Sequence, residues 1–388
     1  MLMLLAIAAT VSAGDTVPRT PKHDTAFAVS AETTYFVTNR GARDVRVRRA
    51  IATGDSLEYG FVVTRYRERA GPGTASRWVG GFEAKQADSV QLSRGDFLAR
   101  IAAADTVAAA RGEGPVLYVH GFATSFGRAI AQGSEIAHRG TFAGPFIVFA
   151  WPAHGAFASW PRPSALVSRA YRDDSTNAAA STGAFRRALG DLLSVVPARR
   201  LTVVGHSLGA QLASEALVAP SPVRDAMLRE PLHALALFAP DIPAARYRDS
   251  LDAALAPLAT RRVIYASKSD RLLAVSRLVN HSARVGQAGG ERMLAASDVE
   301  MVDVTNGRRV ASMLHRLIEP HHAMRYASSA LRDFFGVVRG TPGACRTADA
   351  VAERLGERSW RLTSAPVPVN DLACGTLESA AHSPTPPG

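Results

Sequence analysis

From Pro115 onward, short and largely apolar runs (Val116 to Val119, Phe146 to Ala150, Leu201 to Val204, Ala234 to Phe238, Arg262 to Ala266 and Glu300 to Val304) alternate with stretches whose apolar residues recur at helical spacing. A strand that is apolar on both faces must be covered on both. This alternation therefore predicts an α/β fold in which a mostly parallel central sheet carries helices on both faces. Phe185, Leu189, Leu192, Leu193 and Val196 mark one covering helix, and Leu331, Phe334, Phe335 and Val338 mark another.

The flanks read differently. Before Pro115, Tyr35-Phe36-Val37, Val45 to Arg48, Tyr59 to Thr64 and Ser89 to Leu92 are short β-rich segments punctuated by Gly and Arg, as antiparallel N-terminal strands would be. Ser93 to Ala110 reads as a helix with Ser93 as its N-cap. Residues 25–340 are expected to form one domain, and 341–388 a C-terminal extension, partly disordered, in which Cys345 and Cys374 could form a disulfide. The apolar run Leu2 to Val11 followed by Ser12-Ala13 reads as a signal peptide over 1–13. Export to a periplasm or the medium follows as the expected localisation.

Charge narrows the partners. The net charge is +11, yet all but Lys22, Lys85 and Lys268 of the 45 basic residues are arginine, spread along the chain, so nucleic acid is not expected as a partner. Arg40, Arg43, Arg46, Arg48 and Arg49 alternate with valines like the wet face of a strand. Arg199-Arg200 and Arg261-Arg262 each immediately precede a core strand, so both pairs belong at the edge of the sheet where parallel strands begin, a place for weak contact with an anionic membrane.

Gly205-His206-Ser207-Leu208-Gly209 carries the chemistry. It follows an apolar run and precedes the helical pattern Ala210, Leu212, Ala213, Ala216, Leu217, which puts Ser207 at the tip of a tight strand-to-helix turn as a nucleophile. A serine hydroxyl needs a base and a carboxylate to orient that base, here in the order Ser, Asp, His. Asp270 lies just past the strand Val263 to Ala266 and is the favoured acid, with Asp241 as its competitor. Pro320-His321-His322 lies in the loop before the last helix; His321 is the favoured base and His322 the alternative. The oxyanion donors expected are the backbone N–H groups of Leu208 and of Phe122, the latter in His120-Gly121-Phe122. Trp151 and Trp160, in a Pro-rich stretch leaving the strand before it, are expected to bind substrate. No metal-ligand spacing or phosphate loop occurs, so neither a metal nor another cofactor is expected. About twenty residues separate Asp241 from the next strand, too few for a large cap, and the site should be open.

Together with Thr34 to Arg40, Tyr118 to Phe122, Phe149-Ala150-Trp151-Pro152 and Ala239 to Ile242, these motifs resemble the α/β-hydrolase fold over roughly residues 30–340. More narrowly, they resemble a bacterial family of uncharacterised esterase- and lipase-like hydrolases, and the spacing from His321 to Leu331-Arg332-Asp333 is similar to that family's. The resemblance implies a serine hydrolase that cleaves carboxylic esters, small-molecule or lipid, through an acyl-enzyme intermediate. A thioesterase or amidase would use the same residues, and a non-catalytic relative that binds the cell envelope is the alternative of another class.

Overall fold

The computed structural model describes residues 27–41, 56–69, 82–153, 164–287, 298–306, 321–343, 345–348 and 352–362. Four strands precede the parallel region: β1 (Phe27–Thr38), β2 (Glu58–Arg69), β3 (Phe82–Gln86) and β4 (Val90–Leu92). Six form that region: β5 (Val116–Val119), β6 (Phe146–Phe149), β7 (Thr202–His206), β8 (Leu232–Phe238), β9 (Ala259–Ala266) and β10 (Glu300–Asp303). They lie in the order β10-β9-β8-β7-β5-β6, every neighbour parallel. β1 joins β6 in parallel and turns its other edge to β2, where the sheet becomes antiparallel through β3 and β4.

Successive residues of the apolar strands feed opposite cores. In β5, Leu117 and Val119 enter one hydrophobic cluster, and Val116 and Tyr118 enter the other. The helices α1 (Arg94–Ala109), α2 (Phe126–Arg139), α3 (Ser164–Ala180), α4 (Thr182–Leu193), α5 (Leu208–Val218) and α6 (Pro222–Arg229) divide between these faces. Phe97 of α1, Tyr171 of α3, Phe185 of α4, Leu212 of α5 and Met227 of α6 pack on the first. Ile130 of α2 and Leu331, Phe334 and Phe335 of the helix Ser328–Val338 pack on the second. Burial of each such side chain stabilises the fold by about 1.5–3 kcal/mol. Local signals set where the helices begin: Ser93 Oγ accepts the Asp96 N–H of α1 at 3.1 Å, and Ser221 caps α6, which opens on Pro222.

Three expectations change. Arg40 is not on a wet face: it is 5% exposed, and its guanidinium donates to the carbonyls of Trp151, Thr124 and Ala153, tying together the loops that leave β5 and β6. The arginines expected as a docking edge are paired with carboxylates: Arg199 with Glu230, Arg200 with Asp105, Arg261 with Glu300, and Arg262 with Asp252 and Asp298. Their charge is thereby largely compensated within the fold. The C-terminal segment also belongs partly to the sheet. β11 (Ala352–Gly356) and β12 (Ser359–Leu362) form a hairpin, and β12 pairs in parallel with β10, which buries Trp360 and Leu362. Arg346 pins this segment through Asp333 and Glu300 and lies over the Trp360 ring. Cys345 is disulfide-bonded, and the one other cysteine of the sequence, Cys374, is outside the described residues. Also outside them are the segment 1–13, the strand expected over Val45 to Arg48, and Trp160.

Candidate active site

The turn after β7 is strained. Ser207 has φ 54° and ψ −120°, a conformation that costs a non-glycine residue about 1–3 kcal/mol and persists only where the surroundings enforce it. Enforcement is visible in the backbone. The Ser207 N–H donates to Phe238 O at 2.9 Å, and the Asp241 N–H donates to Ser207 O at 3.2 Å, so β8 grips the turn from one side. From the other side β5 and its loop approach so closely that a Cβ on Gly209 would lie 2.3 Å from the carbonyl oxygens of Val119 and His120, and one on Gly121 2.8 Å from His206 Nδ1. Leu208 begins α5, so its N–H is one of those a helix leaves without an intrahelical acceptor.

Asp270 and His321 meet across the carboxyl ends of the strands. His321 Nδ1–H donates to Asp270 Oδ2 at 2.8 Å, while Asp270 Oδ1 accepts the Leu273 N–H at 2.9 Å and caps the helix Arg271–Asn280. One carboxylate thus holds the imidazole and is itself held by a helix N-terminus. Its bond to Nδ1 leaves Nε2 as the basic lone pair. Burial works against protonation of His321, but the charge and hydrogen bond of Asp270, with a further contribution from the Asp241 charge, raise its pKa above the usual histidine value. His322 is pushed the opposite way, by burial first and then by His206, His321, Arg325 and Arg128. The structure therefore places His321, and not its neighbour, against the acid.

His206 orders this loop. Its Nε2–H donates to the carbonyl of His321 at 2.8 Å, and its ring touches those of both His321 and His322. Burial, and then the nearby His321, lower its pKa to about 3, so it stays neutral and keeps that hydrogen bond across the ordinary pH range.

The loop after β5 is built with equal care. Ala123 has φ 53°, and its N–H donates to the fully buried Asp174 of α3 at 2.9 Å. Trp151 is not on the pocket wall. It is completely buried, its Nε1–H donates to His120 O at 2.7 Å, and its ring stacks on His120 at 5.0 Å. The ring is large and apolar with one polar handle, and here the handle is used to shape the His120-Gly121-Phe122 loop.

Ser207, His321, Phe122 and His322 line one pocket with Tyr171, Asp241 and the helix Arg271–Asn280. Asp241 is there, but its carboxylate is taken: Ser276 Oγ donates to it at 2.6 Å and Tyr171 Oη at 2.8 Å, and buried Arg284 lies 3.3 Å away. Tyr171, Asp174, Ser276 and Arg284 were not singled out by sequence reasoning, since each sits in an ordinary helical or loop pattern far in sequence from its partner. No group of three or more His, Cys, Asp or Glu able to hold a metal occurs among the described residues.

Solved structures that a comparison finds distantly similar include the esterase Est22 (12% identical, TM-score 0.35, covering 79% of this chain and 82% of that one). Another is brefeldin A esterase, described as a bacterial homologue of human hormone-sensitive lipase (13%, TM-score 0.32, 85% and 80%). A third is an esterase of Pyrobaculum calidifontis (12%, TM-score 0.31, 81% and 85%). Likenesses this distant carry no argument about substrate or mechanism. No curated protein matches the chain. Residues 101–323, more than half of the sequence, match a family described as alpha/beta hydrolase of unknown function (DUF900). They span β5 through β10, the strained serine turn and the Asp270–His321 pair, and the chain belongs to this alpha/beta-hydrolase family.

Proposed function

We propose that the protein is a serine hydrolase acting on carboxylic esters through an acyl-enzyme. The observation that carries this reading is the 2.8 Å bond between Asp270 and His321 Nδ1, in a pocket whose wall also holds Ser207 at a strained strand-to-helix turn. Ser207 Oγ attacks the carbonyl carbon and its proton passes to His321 Nε2. The oxyanion formed is met by the N–H groups of Leu208 and Phe122. The ester C–O bond then breaks, His321 gives its proton to the departing alkoxide, and the acyl group remains on Ser207. Water repeats the sequence, releasing the acid and restoring the serine. Catalytic hydrogen bonds between base and nucleophile commonly tighten only around substrate.

A fluorophosphonate probe tests this. Wild type should be labelled at Ser207 and should hydrolyse p-nitrophenyl acetate, with both lost in Ser207→Ala at unchanged thermal stability; an unlabelled, inactive wild type overturns the reading. We propose export as well, because a disulfide at Cys345 suits an oxidising compartment and Leu2 to Val11 has the character of a signal peptide. The N-terminal sequence of protein recovered from the periplasm or medium should then begin after the apolar run, and retention in the cytoplasm with that run intact would rule export out.

A further inference from the structure

The geometry points to an acyl-chain track along the helix Arg271–Asn280, so that the preferred substrates are esters of medium or long aliphatic acids; this rests on the ester-hydrolase reading above. Seven large apolar side chains are exposed among the described residues, and three of them, Leu272, Val275 and Leu278, fall within this helix. With Val279 they occupy one stripe, because positions 272, 275, 278 and 279 are spaced by three, six and seven residues. An exposed apolar stripe of this kind normally marks a contact.

Continuity with the site says what the contact is. Leu272, Val275 and Val279 are pocket lining on the same wall system as Ser207 and His321. The rest of the lining mixes Phe122 with the polar Ser168, Tyr171 and Asp241, and Asp241 already has its hydrogen-bonding partners there. An alkyl group would lose contact with water along the helix and would gain nothing against those polar groups. Size decides where a longer chain goes. The pocket offers about 90 Å³, well below the roughly 300–1,000 Å³ of sites that engulf a drug-sized ligand. Beyond the first few carbons the chain must leave the pocket, and Leu272, Val275 and Leu278 continue the apolar surface outward.

The helix is also registered to the chemistry. Asp270 caps its first turn through Oδ1 while holding His321 through Oδ2, so the track cannot shift without moving the carboxylate that orients the base. A chain lying on the stripe is therefore fixed relative to the nucleophile.

The test compares p-nitrophenyl acetate with the octanoate in wild type, in Val275→Ser/Leu278→Ser and in the conservative Val275→Ile. Complete burial of a methylene would raise kcat/KM about fourfold, and burial of one side of the chain about twofold per methylene. The octanoate-to-acetate ratio should rise accordingly in wild type, fall at least fivefold in the double variant and persist in Val275→Ile. A ratio that is the same in all three proteins while both esters are turned over overturns the track and leaves the hydrolase reading standing. Titration of Ser207→Ala with sodium decanoate and sodium acetate decides the track without catalysis. Decanoate should bind more tightly than acetate and lose at least fivefold in affinity with the double replacement; equal binding of the two anions, or no effect of the replacement, rejects the track even where no ester is turned over and Ser207 stays unlabelled.

Discussion

At the scale of single residues, the site is governed by which ionisable groups are buried together. In the proposed reaction His321 must be neutral to accept the serine proton, and the carboxylate that orients it also raises its pKa. The acidic limb of kcat/KM against pH should therefore fall at a pH above the ordinary histidine value. Asp270→Asn removes the largest influence that raises this pKa, so in that variant the limb should move to lower pH while the plateau drops by several powers of ten. Asp241→Asn should move the limb in the same direction by less. Its main effect should be on stability, a loss of about 3 kcal/mol by chemical denaturation, because Arg284 is left as a buried charge without its carboxylate. Activity that survives Asp270→Asn but not Asp241→Asn would reverse the two assignments. Trp151→Phe keeps the ring and deletes the donor to His120; a stability loss of about 1 kcal/mol with an unchanged ester chain-length profile is expected, and an altered profile would return Trp151 to the substrate site.

At the scale of elements, the turn after β7 works because three segments approach to backbone distance. Gly209→Ala puts a methyl carbon 2.3 Å from two carbonyl oxygens, so α5 must separate from β5 or the variant must misfold. We expect a stability loss of about 1–3 kcal/mol, and more than tenfold lower activity even in the folded fraction, measured by denaturation together with active-site titration. The motif Gly205-His206-Ser207-Leu208-Gly209 disclosed this turn because its glycines and its place between an apolar run and a helical pattern are local facts. Asp174, which accepts the Ala123 N–H from 51 residues away, left no such trace. An aspartate in the middle of an amphipathic helix looks solvated until the helix is placed against the loop. The same holds for Arg40: it sits in a run of alternating arginines, yet it is buried because three carbonyls from the β5 and β6 loops converge on it.

At the scale of the whole molecule, the sheet continues past the last strand expected from apolar runs. Removing residues 344–388 should strip β11, β12 and the Arg346 anchor from the β10 edge, exposing the surface buried by Trp360 and Leu362. A stability loss of about 3–6 kcal/mol is expected, read as a lowered Tm; an unchanged Tm would make the hairpin dispensable. β11 and β12 escaped sequence reading because each is short, one is polar on much of its surface, and the turn Glu357-Arg358 separates them. Sequence by itself determined that a mostly parallel sheet lies between helices, that Ser207 sits on a tight strand-to-helix turn, and the chain order that offered Asp270 and His321, since periodicity, glycine spacing and residue order are properties of the linear chain. Tertiary structure alone put His321 rather than His322 against Asp270, tied up Asp241, withdrew Trp151 from the pocket and joined the C-terminal hairpin to the sheet. Each of these depends on which distant groups share a buried volume, and on desolvation and hydrogen-bond partners that exist only once the chain has closed on itself.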